Sequence, residues 1–357
     1  MYISNLRIFN IRLFESLDIA LAPKFNIFLG KNGAGKTSIL ESIDLLSRGK
    51  SFRCSNVSEI MKQNETNLAV SCSIILSDSE VSLSLARKKS ASELKVNSLK
   101  AAKWSEITSH LPVISIHPES YLVITGIPSE RRKYIDWGLF HVEPSYKNSW
   151  SSYMRALKQR NVCLRYKQIT QARQWHATLC EYGLIINQAR LDYIQAIKPL
   201  IKQYAEHLNL KSTIDIEYKQ GWSLDNELLE LLDQELLEDD LPLSTGVGPH
   251  RANISLKWDG KKFAATSSRG QQKVLAIAMY LAQSQYMSDN FSKKGVYLID
   301  ELPAELDQNT CQKVLSLLVE LNSQVVITSV SEHYLKDFVP ENTKWFHVEH
   351  NQAKAML

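Results

Sequence analysis

The sequence has few cysteines, and their arrangement excludes two classes of site. There are five, an odd number with no CxxC pair among them: Cys54, Cys72, Cys163, Cys180 and Cys311. A disulfide framework needs paired cysteines, and most cysteine-based zinc sites need CxxC-type pairs. We therefore expect neither, and instead predict reduced, buried thiols in a cytosolic protein.

Long apolar runs are also missing. No stretch approaches the roughly 18 to 20 residues that a membrane-spanning helix needs, and the charged residues Arg7, Arg12, Glu15 and Asp18 come too early for a signal peptide. An excess of one charge is missing as well, because 42 basic and 38 acidic residues leave a net charge of +4. This balance permits a local DNA-binding face without requiring one. The expectation is a cytoplasmic protein without a membrane partner.

The patterning that is present alternates strands and helices at both ends of the chain. Apolar and β-branched runs predict strands over residues 2–11, 16–21, 25–29, 113–117, 254–258, 261–263, 296–299, 325–328 and 344–348. Strict alternation over 70–85, around a turn at Ser77–Glu80, predicts a β-hairpin. Helices are predicted after Thr37, after Gly270 and over 310–321. These signals indicate an α/β domain.

The middle of the chain reads as consecutive helices. Between Pro128 and about Leu210 there are only two glycines, Gly138 and Gly183, which are possible helix breaks. Pro128 and Pro144 fit first-turn positions, and Pro199 predicts a kink or a helix end. A further acidic helix is predicted over 224–237. The α/β domain is therefore split by a helical insertion.

A phosphate-binding loop follows the third strand. Its pattern is Gly30-x4-Gly35-Lys36-Thr37, between a buried strand and a helix. Glycines allow the backbone to turn successive N–H groups towards phosphates, and the helix start adds its positive dipole end. Lys36 is expected to reach the β- and γ-phosphates of ATP, and Thr37 to hold Mg²⁺. The predicted nucleotide-binding residues here are Gly30, Lys31, Asn32, Gly33, Ala34, Gly35, Lys36, Thr37 and Ser38.

Two carboxylates end a second buried strand. Asp300 and Glu301 follow Val296–Ile299, with Ala304–Asp307 close behind. This is the arrangement that a Walker B site requires, in which Asp300 would hold Mg²⁺ either directly or through one of its other ligands, and Glu301 would polarise the attacking water. The predicted catalytic residues are therefore Glu301, Asp300 and Lys36, and the predicted metal ligands are Thr37 and Asp300.

A third element, Ser267–Lys273, opens an apolar helix shortly before that strand. Serine and glycine at a helix start present N–H donors to an anion, although an ordinary N-cap gives the same pattern. Its position before Asp300 is typical of ATP-binding-cassette ATPases. We therefore add Ser268, Gly270 and Gln271 to the predicted nucleotide-binding residues.

The three elements, in this order and separated by a long insertion, resemble the RecF family of bacterial recombination-repair ATPases, in the SMC-like branch of the ABC class. The resemblance covers nearly the whole chain. It also rests on the opening ISNLRIFNIRLFESLDIAL, on GKNGAGKTSILESIDLLSRGKSFR, and on the segments GIPSERRKYID (126–136), TGVGPHR (245–251) and SSRGQQK (267–273). The last two segments separate the family from transporters.

The resemblance implies an α/β fold: an ABC/SMC-type P-loop ATPase head with an N-terminal β-rich lobe and an inserted helical domain. Residues 1–117 would form the N-terminal part of the ATPase domain, 118–243 the helical insertion and 244–357 the C-terminal part. The cofactors implied are ATP and Mg²⁺. The resemblance further implies a homodimer formed on ATP, with the P-loop of one subunit and Ser268 and Gly270 of the other around each nucleotide, and slow hydrolysis as a release step.

The partners implied are duplex DNA near single-stranded gaps, bound without sequence preference, the proteins RecR and RecO, and the RecA recombinase that they help to load. Phosphate contacts need only basic side chains on one face. The candidates are Arg131, Arg132, Lys133, Arg155, Lys158, Arg160, Arg165 and Lys167. Each of them could instead lie on an ordinary solvated helix face.

Four departures from the related sequences concern hydrolysis rather than ATP binding. Ser267 replaces a leucine that opens the signature, and HPESY (117–121) replaces a Phe-Ser-Pro-Glu-Asp type of segment around Glu119. The carboxylate pair is Asp-Glu where many relatives have Asp-Asp. Thr328 lies where transporter ATPases keep a histidine, and the nearby His333 is expected on a surface helix.

Three other classes fit parts of the pattern. A transport ATPase subunit would share the loop and the carboxylates, but it would need the histidine and a helical subdomain for a membrane partner. A small-molecule phosphotransferase would not need the Ser267–Lys273 element. A DNA scaffold independent of ATP would require Lys36 to be dispensable.

Overall fold

The computed structural model describes residues 1–54, 56–77, 79–88, 91–101, 103–210, 213–237, 240–302, 306–333 and 335–356. These form two compact units. The first holds Met1–Ser120, His207–Asn209 and Ser292–Leu357, and the second holds Tyr121–Glu206 and Leu210–Phe291. Residues 244–291 belong to the same compact unit as the helical middle of the chain. The predicted boundaries at 117 and 243 divide the ATPase domain from the insertion by function, and they stay a prediction.

The described strands, in chain order, are β1 (Tyr2–Ile11), β2 (Phe14–Ala20), β3 (Phe25–Leu29), β4 (Asn67–Ile75), β5 (Glu80–Lys88), β6 (Ala91–Val96), β7 (Leu99–Lys100), β8 (Val113–Ile116), β9 (Ile214–Lys219), β10 (Asn253–Trp258), β11 (Lys261–Lys262), β12 (Val296–Asp300), β13 (Gln324–Ser329), β14 (Lys344–Glu349) and β15 (Gln352–Ala355). The described α-helices are α1 (Lys36–Arg48), α2 (Trp104–His110), α3 (Leu122–Thr125), α4 (Pro128–Val142), α5 (Tyr146–Arg165), α6 (Ile169–Arg173), α7 (His176–His207), α8 (Leu228–Gln234), α9 (Phe263–Thr266), α10 (Arg269–Phe291) and α11 (Gln308–Glu320).

One sheet of the first unit carries the predicted ATPase motifs. Its strand order is β15-β14-β3-β13-β12-β8, and all its pairings are parallel except that of β14 with the edge strand β15. Every residue of β3, β12 and β13 is buried. Strands covered on both faces favour apolar runs over strict alternation, and such runs form most of β3 and β12 and the centre of β13.

The second sheet of the first unit is antiparallel, with the order β2-β1-β4-β5-β6-β7. Along β4 every second residue is buried, from Leu68 to Ile74. The predicted hairpin over 70–85 is therefore formed by β4 and β5, while Asp78 of its predicted turn lies outside the described residues. One face of the hairpin is buried and the other is not, which explains the alternation that was visible in the sequence.

The second unit is mainly helical, and the strands among its described residues form the small sheet β11-β10-β9. The two predicted helix breaks are wrong, because Gly138 lies within α4 and Gly183 within α7. A Cβ atom at position 138 would come 2.0 Å from the Tyr193 hydroxyl, so this glycine permits close packing of α4 on α7. Helix α7 also continues through Pro199 to His207, so Pro199 does not end it.

Three predicted boundaries need correction as well. The helix predicted over 224–237 is formed only from Leu228 to Gln234. Phe263 begins α9 rather than ending a strand, and Pro144 lies two residues before α5. His333 is exposed, as expected, but it lies in a turn. All five cysteines are free, although Cys54 and Cys180 are half-buried rather than buried.

Candidate functional site

Three neighbouring strands bring the predicted site together at one edge of the parallel sheet. The glycine-rich loop follows β3, Asp300 ends β12, and Thr328 lies opposite both Phe28 and Asp300 in the register of β13. In open α/β sheets, ligands bind outside the carboxyl ends of the strands. The order β3-β13-β12 therefore explains why residues far apart in sequence meet at this edge.

The backbone of the loop has the torsions that its glycines were expected to provide. Gly33 and Gly35 have φ angles of 82° and 103°, in the left-handed region that side chains disfavour. A Cβ atom at Gly30 would come 2.4 Å from the carbonyl oxygen of Val348. Gly35 is the N-cap of α1, and neither a side-chain cap nor an acidic first-turn residue is found at this end of α1. The first N–H groups of the helix and its dipole therefore favour an anion here.

Lys36 holds its ammonium group inside this loop. Its side chain is buried, and Nζ donates to the carbonyl oxygens of Gly30 at 2.8 Å and Lys31 at 3.1 Å. Nζ also lies 3.7 Å from Oε1 of Glu301. The cation and the second carboxylate of the predicted Walker B pair are therefore adjacent.

Thr37 and Asp300 converge from the other side. The Thr37 hydroxyl lies 3.0 and 3.2 Å from the two carboxylate oxygens of Asp300 and donates to them. Asp300 is buried. Hydroxyl and carboxylate oxygens are ligands that Mg²⁺ accepts alongside phosphate oxygens and water. The pair therefore fits the predicted metal site.

Thr328 connects the two carboxylate residues Asp300 and Glu301. Its hydroxyl donates to Oδ1 of Asp300 at 2.7 Å and accepts from the Glu301 backbone N–H at 3.0 Å. In the sequence this position is distinguished only by the absence of the histidine that transporter ATPases keep there. A polar residue that ends the buried run Val325–Ile327 is the signal that could have revealed it.

The predicted signature residues lie in the second unit at the start of α10. The Ser268 N–H donates to the side-chain oxygen of Gln271 at 2.8 Å, and the Gln271 N–H donates to the Ser268 hydroxyl at 3.3 Å. This reciprocal cap leaves Ser268 and Gly270 exposed to solvent. Ser267, which replaces the usual leucine, donates its hydroxyl to the Phe263 carbonyl at 2.7 Å and so joins α9 to α10.

Two segments that carried the family resemblance meet around a buried arginine. Arg190 donates to both carboxylate oxygens of Asp136, at 3.0 Å each, and to the Pro249 carbonyl at 2.6 Å. Tyr146 donates to the same Asp136 at 2.6 Å. The segments 126–136 and 245–251 are therefore held together by this ionic cluster. A structural role of this kind explains why Asp136 occurs in the first segment.

The basic residues predicted to contact DNA fall into two groups. The prediction that Arg160 contacts DNA is wrong, because this residue is fully buried. It donates to Glu235 and Thr245 at 3.0 and 2.7 Å. Arg131 is buried too, and it binds Asn253 and the Gly126 carbonyl, while Arg132 donates to the Ala252 carbonyl. The exposed members of the predicted set are Lys133, Arg155, Lys158, Arg165 and Lys167.

The segment after β8 forms a compact turn beside α1. His117 stacks on Phe52 with ring centroids 4.7 Å apart, and burial, together with the nearby Arg48 charge, lowers the pKa of His117 to about 4. Its Nδ1 accepts from the Glu119 N–H at 3.3 Å, and Glu119 itself is exposed. A neutral histidine therefore fixes this turn.

Part of the segment behind Asp300 can also be placed. Asp307 is the N-cap of α11, and its carboxylate accepts from the Thr310 N–H at 3.0 Å. Ala304 and Glu305 lie outside the described residues. Among the described residues, none belongs to a helix that is long and apolar enough to cross a membrane.

Comparison with known proteins gives consistent matches over the whole chain. Residues 2–354 match the family model of the RecF/RecN/SMC N terminal domain. The DNA replication and repair protein RecF of Pseudomonas aeruginosa is 34% identical, over 99% of this chain and 97% of the relative. The same protein of Francisella tularensis subsp. holarctica is 35% identical, over 96% and 99%.

The solved structures agree. The recombination mediator protein RecF-ATP in the RecFOR pathway is 26% identical with a TM-score of 0.88, over 100% of this chain and 98% of that one. The Smc head domain derived from Pyrococcus furiosus is 17% identical with a TM-score of 0.60, over 99% and 96%, which shows a shared fold. The predicted ABC/SMC-type head is confirmed.

Proposed function

This chain belongs to the RecF family, within the wider group of RecF, RecN and SMC proteins, and from that premise we propose that it is an ATP-binding protein of DNA replication and repair. ATP drives two copies together on duplex DNA near single-stranded gaps, and slow hydrolysis releases them. The observation that supports this most directly is the convergence of four side chains, Lys36, Thr37, Asp300 and Glu301, at one edge of the parallel sheet.

Each of the four side chains has a role that follows from its position. Lys36 neutralises charge on the β- and γ-phosphates, since its Nζ lies among the loop carbonyls to which it donates. Glu301, beside Lys36, orients and polarises the water that attacks the γ-phosphate. Thr37 and Asp300 would hold Mg²⁺, which supplies charge neutralisation to the phosphates when it is bound.

The exposed start of α10 is proposed to meet the nucleotide of a second copy. Ser268 and Gln271 cap this helix start reciprocally, and the Gln272 N–H donates to the Ser268 carbonyl. Gly270 leaves the backbone open: apart from its chain neighbours and the backbone of its own helix, the nearest described atom to a Cβ placed there is the Ser268 hydroxyl, at 3.9 Å. A helix N-terminus of this kind favours the charge of a γ-phosphate. Each nucleotide would therefore be enclosed by the P-loop of one subunit and by Ser268, Gly270 and Gln271 of the other.

We expect Ser268→Arg to prevent dimerisation in Mg-ATP while leaving ATP binding by the monomer within about threefold of the wild type, a difference below 1 kcal/mol. A long cation cannot fit where a γ-phosphate and a helix start meet closely. Sedimentation velocity in Mg-ATP measures the dimer, and a fluorescent ATP analogue measures binding. Ser244→Arg, which adds the same cation at another exposed serine of this unit, should still dimerise. A Ser268→Arg protein that dimerises like the wild type would contradict the proposed role.

The DNA-binding face is proposed to lie on α5. Arg155, Lys158 and Arg165 are exposed and separated by three and seven residues, so they share one side of the helix with the half-exposed Lys147. Aligned cations on a rigid helix suit backbone phosphates, which carry no sequence information. Arg160 takes no part, because it is buried on the opposite side.

Replacing Arg155, Lys158 and Arg165 together by alanine should flatten the salt dependence of DNA affinity. Each lost phosphate contact lowers the slope of log affinity against log salt by about 0.9, so the slope should fall by about 3 for each protomer. Affinity for a duplex is measured by fluorescence anisotropy across a salt series, with and without Mg-ATP, and the wild-type slope should be steeper in Mg-ATP because two faces then engage. ATP affinity should not change.

A matched control removes three cations from other elements of the same unit: Lys202 on α7, Lys219 on β9 and Lys257 on β10. This variant should keep the wild-type slope within about 1. Equal flattening in both triple variants would show that net charge, rather than the α5 face, determines binding. RecR and RecO are proposed as partners, and RecA loading as the outcome, on the family resemblance alone.

A further inference from the structure

Thr328 makes two hydrogen bonds that join separate parts of the proposed ATPase site. Its side chain is fully buried at the end of β13. The hydroxyl donates to Oδ1 of Asp300 at 2.7 Å and accepts from the N–H of Glu301 at 3.0 Å. One oxygen atom therefore contacts the side chain of the first carboxylate residue and the main chain of the second.

Glu301 has an unusual backbone conformation at this contact. Its φ angle is 55°, in the left-handed region, although it carries a side chain. Residues other than glycine stay in this region only where the surroundings hold them. The hydrogen bond from the Glu301 N–H to Thr328 is one such restraint, and it fixes the direction in which the chain leaves β12.

Asp300 is fixed through the same hydroxyl. Its Oδ1 accepts from Thr328 at 2.7 Å and from Thr37 at 3.0 Å, so the carboxylate is held between β13 and the start of α1. The side-chain Oε1 of Glu301 in turn lies 3.7 Å from Nζ of Lys36. Thr328 touches neither Lys36 nor the loop carbonyls in these contacts, so its influence passes through Asp300 and Glu301.

We propose that Thr328 is a positioning residue for ATP hydrolysis, which holds the Glu301 main chain and the Asp300 carboxylate in one fixed arrangement. The inference rests on the proposed ATPase function. Because the phosphates are bound by the loop and Lys36, loss of the hydroxyl should affect the hydrolytic step much more than nucleotide affinity. A misplacement of a catalytic group by about 1 Å costs on the order of 100-fold in rate.

The test compares Thr328→Val with Thr328→Ser. Valine has nearly the shape of threonine but leaves the Glu301 N–H without this acceptor, whereas serine keeps the hydroxyl. The valine variant should lower kcat about 10- to 100-fold, with ATP affinity within about threefold, and serine should restore kcat to within about threefold of the wild type. Thr328→Ala gives the same test if the valine variant does not fold.

A second readout needs neither nucleotide nor turnover. Hydrogen exchange of the Glu301 amide, followed by mass spectrometry on peptides that cover β12, should become faster in Thr328→Val and stay slow in Thr328→Ser. A third readout does use ATP: the lifetime of the Mg-ATP dimer after addition of excess ADP should lengthen in the valine variant by the factor lost in kcat.

The matched control is Ser115→Ala on β8 of the same sheet. Its hydroxyl also donates to a buried carboxylate, Asp44, at 2.9 Å, but it lies on the far side of β12 from β13. This variant should lose stability without any change in kcat or in exchange of the Glu301 amide.

The outcomes separate this inference from the proposed function. An active wild type whose valine variant keeps wild-type kcat and slow amide exchange overturns the role of Thr328 alone. A valine variant that loses ATP affinity as strongly as kcat overturns it too, because the effect would then lie in binding. A wild type that neither binds nor hydrolyses ATP overturns both proposals.

Discussion

Replacement of Lys36 by methionine is expected to weaken ATP binding about 100-fold while the fold is retained. The ammonium group would lose charge-assisted hydrogen bonds to two phosphates, worth together about 3 kcal/mol, and each 1.4 kcal/mol is a factor of ten. Methionine is the better substitution, because the Lys36 side chain is buried and its aliphatic part needs a replacement of similar length. Equilibrium binding of a fluorescent ATP analogue measures the loss.

Lys31 provides a matched control in the same loop. It is exposed, and the contact that the structure gives it within the loop is made by its carbonyl oxygen. Lys31→Met removes the same charge and should cost less than tenfold in affinity. An equal loss in both variants would mean that the general positive potential of the loop, rather than the buried Lys36 ammonium, binds the nucleotide.

Glu301→Gln should abolish hydrolysis while preserving ATP binding. The amide keeps the shape of the side chain but cannot accept the proton of the attacking water, and loss of a general base typically costs 10²- to 10⁴-fold, roughly 3 to 5 kcal/mol. The ATP-bound dimer should then persist, because its release step is blocked. Phosphate release measures the rate, and sedimentation after addition of excess ADP measures the persistence of the dimer.

Glu332→Gln is the comparison for that experiment. Glu332 is exposed and follows β13 in the same unit, so the substitution removes one carboxylate outside the site. It should leave both the rate and the dimer lifetime unchanged. A Glu301→Gln protein that hydrolyses ATP at the wild-type rate would assign the water-polarising role to another group.

The sequence was most informative where chemistry constrains several positions at once. The loop Gly30–Thr37 requires glycines for its torsions, and strands β3, β12 and β13 contain short apolar runs because both of their faces are covered. These constraints predicted the strands, the loop and the carboxylates. The contact between Thr37 and Asp300 then follows from strand order, which the sequence alone does not specify.

Long-range side-chain contacts were not predictable. Arg160 is a basic residue among other basic residues, as expected of a DNA contact. In the structure it is buried, and Glu235, 75 residues away in sequence, compensates its charge. Gly138 looked like a helix break, whereas its lack of a side chain accommodates Tyr193. Thr328 acquires its proposed role only because β13 lies between β3 and β12. In each case the partner is distant in sequence, so the local pattern does not identify it.

The claim that ATP joins two copies of this chain is tested most directly by sedimentation velocity of the unmodified protein without nucleotide, with Mg-ADP and with Mg-ATP. The account predicts a monomer in the first two conditions and a dimer, whose fraction rises with protein concentration, in Mg-ATP alone. A protein that remains monomeric at saturating Mg-ATP, or that dimerises equally well in all three conditions, would contradict it.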